Sequence, residues 1–331
     1  MLLAGDVGGT KTNLAIFVSE EALKREEAMV EMTLPSGDYP SLEALVGKFL
    51  ESIEVRDQIR HASFGVAGPV SKGEAKITNL PWVMDEIHLA ETLHLPSVEL
   101  LNDLVAIASA VPFLTPSDLN TLNEGQAVEH GTIAVVAPGT GLGEAYLNWD
   151  GRHYRAYPSE GGHVEFGPTN ALELEMLGYL LEHYNHVSYE RVCSGMGLPN
   201  IYRFLRDRGY AEEPVWLTKK LAEVKDPTPV IVNNALDKEN ACDLCVKTLE
   251  MFVSILATEA GNMALKVFAN GGVFLGGGIP PRILPLLQNG RFMEVFSHKG
   301  RFTDLLKQAP VHVILHPKVA LLGAAYHGFD L

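Results

Sequence analysis

Glycine-rich turns are the stretches of this sequence best suited to chemistry, because backbone amides without a bulky side chain can approach phosphate closely. The first, "GDVGGTKT" at residues 5–12, lacks the order of a P-loop. Thr10 separates Gly9 from Lys11, and the next residues, "NLAIFV", predict a strand instead of a helix. The donors would therefore be the amides of the turn itself. Gly8 and Gly9 permit positive φ, while Thr10 and Lys11 add a hydroxyl and a charge. Taken alone, the loop is equally consistent with a tight surface hairpin.

Asp6, two residues before the glycines of this turn, indicates a metal ion. A carboxylate does not bind phosphate directly, but it can face Mg²⁺ or the water molecules around that ion. We therefore expect Asp6 to hold Mg²⁺, through water, beside a bound phosphate.

Two further glycine clusters strengthen the phosphate hypothesis. "APGTGLG" again lies between predicted strands, and "LGGGIPPR" lies between a strand and a helix, where a base or ribose could approach the backbone. Two turns that hold one polyphosphate from opposite sides are the economical interpretation. The residues concerned are Gly139, Thr140 and Gly141 in the second cluster and Gly276, Gly277 and Gly278 in the third.

The elements that must position these turns alternate between strands and helices. This order predicts an α/β fold with a largely buried mixed sheet. A strand, a glycine-rich turn and a second strand occur twice, at residues 2–18 and 132–148, which is weak internal repetition. Apolar residues three or four apart predict a long helix over about residues 237–267.

Composition excludes several classes of function. The 331 residues carry a net charge of −15, whereas nucleic-acid binding needs a concentrated basic surface. The longest uncharged run, "VFANGGVFLGGGIPP", contains five glycines and two prolines, so no membrane helix is expected. Three cysteines and an N-terminus without a signal-peptide pattern favour the cytoplasm. Cys242 and Cys245 form a lone C-x-x-C, for which buried helix positions are favoured over a zinc site.

The paired turns resemble those of the sugar kinase, actin and Hsp70 superfamily, whose two domains each contribute a phosphate hairpin around ATP. Within it, essentially the whole chain is similar to the bacterial glucokinase family. The motifs that carry this similarity are "GDVGGTKT", "ITNLPW" (77–82), "LLNDLVAIA", "APGTGLG", "SEGGH" (159–163), "ERVCSGMGL" (190–198) and "LGGGIPPR". The resemblance implies a two-domain, actin-like fold of the ribonuclease H-like type, with the active site in the cleft between the domains.

The domain boundaries follow from a change of pattern near residue 114 and from this resemblance. We expect a small α/β domain formed by residues 1–113 with 311–331, and a larger α+β domain formed by residues 114–310. Closure of the domains would exclude water, which could otherwise attack ATP. Its hinge is expected near residues 111–116 and 311–317.

The resemblance implies that glucose is the substrate and assigns the residues that bind it. Asp103 would be the general base and would bind glucose together with Asn102. The carboxylates of Asp103, Glu160 and Glu190 in one pocket would suit a neutral, hydroxyl-rich ligand. Local sequence leaves alternatives open, because Asp103 could cap the next helix, Glu160 could be solvated and His163 could be a core residue. The remaining substrate-binding residues would be Gly68, Asn79, Glu160, His163 and Glu190.

The implied reaction is transfer of the γ-phosphoryl group of ATP to the 6-hydroxyl of glucose, the first step of glycolysis, with Mg²⁺ required. A sugar-sensing protein with an inactive site is one alternative, and a kinase for another hexose is a second. The long apolar helix is consistent with a homodimer, although burial within the larger domain explains it equally well. Neither a nucleic acid nor a membrane is expected as a partner.

Overall fold

The computed structural model describes residues 1–77, 80–237 and 239–330 as a mixed α/β protein. The chain forms two compact units. Unit 1 contains residues 1–118, 147–158 and 316–331, and unit 2 contains residues 119–146 and 159–315. The domain boundaries and hinges inferred from the sequence stay predictions. Within the described ranges, no helix combines the length and apolarity that a membrane span requires.

The strands are β1 (Leu2–Val7), β2 (Lys11–Phe17), β3 (Val30–Pro35), β4 (His61–Val66), β5 (Val70–Ser71), β6 (Glu74–Lys76), β7 (Val83–Asp85), β8 (Val98–Asn102), β9 (Leu119–Asn123), β10 (Ile133–Pro138), β11 (Leu142–Trp149), β12 (Tyr154–Ser159), β13 (Gly272–Leu275) and β14 (Val311–Ile314). The α-helices are α1 (Glu20–Lys24), α2 (Leu42–Glu51), α3 (Glu86–Leu93), α4 (Asp103–Ala110), α5 (Ala171–Leu181), α6 (Leu198–Asp207), α7 (Val215–Ala222), α8 (Thr228–Ala235), α9 (Asp243–Lys266), α10 (Leu284–Leu287), α11 (Arg291–Ser297), α12 (Thr303–Gln308) and α13 (Val319–Gly328).

The main sheet of unit 1 has the order β3-β2-β1-β4-β8, and a small second sheet has the order β5-β6-β7. β1 runs antiparallel to β2 and parallel to β4, which in turn is parallel to β8. Val7 is paired with Val66, and Val66 with Asn102. Because parallel strands end at one edge of a sheet, the turn after β1 and the start of α4 lie at the same edge.

The sheet of unit 2 repeats this plan. Its order is β12-β11-β10-β13-β14-β9, so its first five strands follow the same sequence of connections as those of unit 1. The two predicted hairpins are confirmed, with three-residue turns at 8–10 and 139–141. The weak repetition in the sequence therefore corresponds to two similar sheets, each with a glycine turn after its first strand.

The long predicted helix is confirmed as α9, although it starts six residues later than expected. The Asp237 carboxylate accepts hydrogen bonds from the amides of Glu239 and Asn240, and residues 239–240 form a turn ahead of the helix. α9 is buried on more than its predicted face, and Cys242 and Cys245 are buried at its N-terminal end. The edge strand β9 was not anticipated, because its sequence, "LNTLN", is polar and partly exposed.

Candidate functional site

One edge of the unit 1 sheet brings together most of the residues predicted there. The first glycine turn follows β1, Gly68 follows β4, and Asn102 ends β8. The Asn102 side chain joins two of these segments, since its Nδ2 donates to the Gly68 carbonyl oxygen over 3.1 Å. Asn79 lies outside the described residues.

Asp6 lies on β1 opposite Asn13, whose Nδ2 donates to Asp6 Oδ2 over 3.0 Å. Asn13 is itself held by Thr33, whose hydroxyl donates to Asn13 Oδ1 over 2.8 Å. Burial raises the pKa of Asp6, and the Asn13 hydrogen bond and the Lys11 charge oppose that effect. A divalent cation would stabilise the ionised form of such a carboxylate, so the donor set fits Mg²⁺.

Ser36 stabilises the first glycine turn through hydrogen bonds. Its hydroxyl donates to the Gly8 carbonyl oxygen over 2.7 Å and lies 3.0 Å from Thr12 Oγ1, and its amide donates to the Thr10 carbonyl. The Gly8 amide closes the turn by donating to the Lys11 carbonyl over 3.1 Å. Gly8 does not use the positive φ that a glycine permits, and a side chain at position 8 would lie close to the Lys11 carbonyl oxygen.

Asp103 is the first residue of α4, and Asn102 is its N-cap. The Leu104 amide is shared, lying 2.9 Å from Asn102 Oδ1 and 3.0 Å from Asp103 Oδ1. The alternative that Asp103 merely caps this helix is therefore not favoured, because Asn102 is the N-cap. Both side chains are half-buried at the end of β8, where a polar group can meet a ligand.

The second glycine turn, 139–141, is held by hydrogen bonds from residues 195–196 of unit 2. The Gly195 amide donates to the Gly139 carbonyl over 2.8 Å, and the Met196 amide donates to the Thr140 carbonyl over 3.2 Å. The third glycine cluster lies against the preceding strand, because the Gly276 amide donates to the Val136 carbonyl over 3.0 Å. Gly277 has φ +80° and packs on Pro138, so a side chain there would be strained and would meet the Pro138 carbonyl.

Glu190 connects the second glycine turn to the predicted sugar residues. Its Oε2 accepts a hydrogen bond from the Leu142 amide over 3.0 Å, directly after the turn. The segment 159–163 begins at the end of β12 and continues into a short 3₁₀ helix, Gly161–His163, which packs on the Leu142 carbonyl through Gly162. Both predicted sugar segments therefore contact the strand that leaves the phosphate turn.

Glu160 and His163 are exposed, and the His163 amide donates to the Glu160 carbonyl over 3.0 Å. This bond closes the turn, so both side chains emerge from one compact loop. The alternative of a buried core position does not apply to His163. Their contact with a sugar stays a prediction.

Several residues that shape the site were missed. Asn13 and Ser36 support the first hairpin, but nothing in their local sequence distinguishes them from other polar residues of an edge. Glu144 and Glu259 are also missed, and both are almost fully buried in unit 2. Glu259 lies within the apolar pattern of α9, where an isolated charge indicates either a partner or a function.

Comparison with known proteins identifies the family of this chain. A family model described as Glucokinase matches residues 3–329. The chain belongs to the glucokinase family. A glucokinase of Trichormus variabilis is 40% identical over an alignment of 337 positions, which covers 98% of this chain and 98% of that one. The predicted family is thereby confirmed, and the names of the relatives agree with the predicted activity.

Solved structures of glucokinases share the fold. The crystal structure of a glucokinase from an Antarctic psychrotroph has a TM-score of 0.85 and 32% identity, and the match covers 100% of this chain and 99% of that one. A ROK family glucokinase from Streptomyces griseus, in complex with glucose and AMPPNP, has a TM-score of 0.63 over 100% of this chain and 99% of that one. At 17% identity, this second match supports the fold alone.

Proposed function

We propose that this protein transfers the γ-phosphoryl group of ATP to the 6-hydroxyl of glucose and releases glucose 6-phosphate and ADP. The observation that carries the proposal is the network around the second glycine turn. Glu190 and the 159–163 segment are predicted to bind the sugar. Both contact the backbone of Leu142, which directly follows the turn predicted to bind phosphate. A site that places both groups on one short segment is suited to transfer between them.

Phosphate would be held by the backbone of the two hairpins. Thr10, Lys11 and Thr140 are exposed at their tips, where a hydroxyl or an ammonium group can face an oxyanion. The glycine cluster Gly276, Gly277 and Gly278 would accommodate adenosine. Mg²⁺, held by Asp6 through water, would neutralise phosphate charge. This assignment is supported by the burial of the Asp6 carboxylate next to a phosphate turn.

Glucose would be bound by side chains that can both donate and accept hydrogen bonds. Glu160, His163 and Glu190 would bind hydroxyls from unit 2, and Asn102 would bind them from unit 1 beside Gly68. Carboxylates that converge on a ligand repel an acidic substrate, whereas a neutral hexose separates them.

Asp103 would accept the proton of the 6-hydroxyl as this oxygen attacks phosphorus. The carboxylate is held at the start of α4 by its bond to the Leu104 amide, which restricts its orientation. General-base help of this kind is worth about 10²–10⁴-fold in rate. We further propose an actin-like, ribonuclease H-like fold of two domains, whose closure would exclude water.

The activity is tested by measuring hexose-dependent ADP release in a coupled assay with Mg²⁺-ATP. Glucose should give the highest kcat/KM in a panel that includes mannose, fructose, glucosamine and N-acetylglucosamine. ADP release that is independent of every hexose would refute the proposal. A clear preference for another hexose would retain the kinase and change its substrate.

The role of Asp103 is tested with Asp103→Ala, which should lower kcat by about 10²–10⁴-fold. Glucose binding, measured by calorimetry, should remain detectable, because Asn102 still caps α4. Asp85→Ala is the matched control, since Asp85 caps α3 through the His88 amide and has no proposed role in catalysis. Turnover near that of the control would remove Asp103 from the mechanism.

Cytoplasmic location and a homodimer also stay proposals. Light scattering across a range of protein concentrations would measure the oligomeric state directly.

A further inference from the structure

Two carboxyl groups, those of Glu144 and Glu259, meet inside unit 2 behind the predicted sugar loop. Glu144 is 1% exposed and Glu259 is fully buried. Glu144 lies on β11, two residues after Leu142. The Leu142 amide directly follows the second glycine turn and donates a hydrogen bond to Glu190. The Glu144 side chain lies within hydrogen-bond reach of Glu259, which extends from α9.

Glu259 has a cation and an amide as hydrogen-bond partners, whereas Glu144 has neither among the described residues. Glu259 Oε1 accepts from Lys266 Nζ over 3.0 Å, and Glu259 Oε2 accepts from Asn262 Nδ2 over 2.9 Å. Within the described parts of the chain, neither Glu144 oxygen accepts a hydrogen bond or forms an ion pair. A buried carboxylate without a partner is far less stable than a protonated carboxyl group that donates to its neighbour. The charge balance therefore favours a single proton shared by the pair.

Glu144 contacts one sugar segment directly, and Glu259 is connected to the other through Asn262. The Glu144 carboxyl lies directly under Gly161, so a side chain at position 161 would collide with Glu144 Oε2. Glu259 acts through Asn262, whose Nδ2 also donates to the Tyr189 hydroxyl over 3.0 Å, and Tyr189 precedes Glu190 in the chain. One buried network thus supports both the 159–163 segment and the turn that carries Glu190.

We propose that Glu144 and Glu259 form a proton-sharing pair that positions the glucose-binding segments from behind, and that loss of the shared proton weakens glucose binding. They are positioning residues, because neither reaches the surface where the sugar would lie. This inference rests on the proposed function of Glu160, His163 and Glu190. It predicts that glucose affinity depends on pH through this buried pair, without titration of any group that contacts the sugar directly.

Ionisation of Glu144 would place two negative charges beside one another under Gly161. Burial and the Glu259 charge raise the pKa of Glu144 to about 8, and Lys266 opposes this rise. The other titratable groups that face the pair are the Cys193 thiol, the Tyr189 hydroxyl and Lys299. Burial raises the pKa of the first two and lowers that of Lys299, whose ammonium donates to Asn262 Oδ1 over 2.6 Å. Among the carboxyl, thiol and hydroxyl groups of this network, the Glu144 carboxyl is therefore the one whose pKa lies in the mildly alkaline range.

The test measures glucose affinity by calorimetry at pH 7 and pH 9, together with KM and kcat. In the unmodified protein, affinity should fall about tenfold, as expected for a group with a pKa of about 8 that must be protonated. Glu144→Gln keeps a neutral donor toward Glu259, so its affinity should change by less than about twofold. Glu294→Gln, at an exposed ion pair with Arg291, is the matched control and should behave as the unmodified protein does.

Three outcomes would overturn the inference: equal losses of affinity in the unmodified protein and Glu144→Gln, no loss in either, or a change in kcat without a change in affinity. Failure of the proposed function is a distinct result, because neither protein would then bind glucose at either pH. Glu259→Gln provides a second test should Glu144→Gln fail to fold. It removes the repelling charge, so the pH at which affinity falls should move downward, and an unmoved transition would overturn the inference.

Discussion

The buried carboxyl pair predicts a specific dependence of stability on pH. Glu144→Gln replaces the protonated carboxyl by an amide of nearly the same shape, and the amide nitrogen can still donate to Glu259. The pKa of Glu144 is raised from 4.5 to about 8 in the folded protein. Its contribution to stability is therefore fully present below pH 4.5 and is lost as the pH rises through about 8. The glutamine side chain does not titrate and suffers no such loss.

The magnitude follows from linkage. Each pH unit between the two pKa values costs the unmodified protein about 1.4 kcal/mol relative to the variant. Between pH 5.5 and pH 8, the variant should therefore gain about 3 kcal/mol in relative free energy of unfolding. For a unit of this size, each kcal/mol shifts the melting temperature by about 2–4 °C, so the expected relative gain is about 6–12 °C.

Scanning calorimetry of both proteins across this pH range measures the effect. The two melting temperatures should be similar at pH 5.5 and diverge steadily toward pH 8, with the variant the more stable. Glu294→Gln should follow the unmodified protein throughout, because its carboxylate is exposed. Parallel curves for Glu144→Gln and the unmodified protein would refute the assignment of a buried, protonated carboxyl.

Three further predictions concern the phosphate side. Asp6→Asn should raise the Mg²⁺ concentration needed for half-maximal rate by about tenfold or more, because a neutral amide is a poor ligand for this ion; an unchanged Mg²⁺ titration would contradict the role of Asp6. Ser36→Ala removes the hydrogen bond to the Gly8 carbonyl, and should cost about 1–2 kcal/mol in thermal unfolding and raise KM for ATP more than KM for glucose. Gly277→Ala places a side chain at φ +80° against Pro138, and should cost about 1–3 kcal/mol and raise KM for ATP, whereas equal effects on both substrates would argue against an adenosine site.

Local sequence was sufficient for several of the elements and for the glycine turns. Both hairpins, α2, the β8-to-α4 turn and the final strand and helix follow from apolar spacing and from glycine placement, which act over only a few residues. The glycine clusters were found for the same reason, since a backbone that must approach a ligand closely needs several small residues in succession. The motifs around residues 102–103, 159–163 and 190 indicated the family, which the match over residues 3–329 confirms.

Tertiary structure decided which side chains hold these turns in place. Asn13 and Ser36 contact Asp6 and Gly8 only because β2 pairs with β1 and β3 pairs with β2, and no local pattern encodes that choice of partners. The conformation of Gly8 was also decided in this way, since the Ser36 bonds support a turn without positive φ. Polar residues on a sheet edge look alike until the order of the strands is known.

The protonation of Glu144 is the clearest case of a property that sequence cannot determine. A glutamate in "GLGEAYL" has an ordinary pKa in an unfolded chain, and nothing in its neighbours suggests otherwise. The raised pKa requires Glu259, which is 115 residues away along the chain, and it also requires the exclusion of water from both carboxyl groups. Sequence alone set the glycine turns and the acidic residues, but the fold determined which of those acids meet, and burial next to a like charge determined which one keeps its proton.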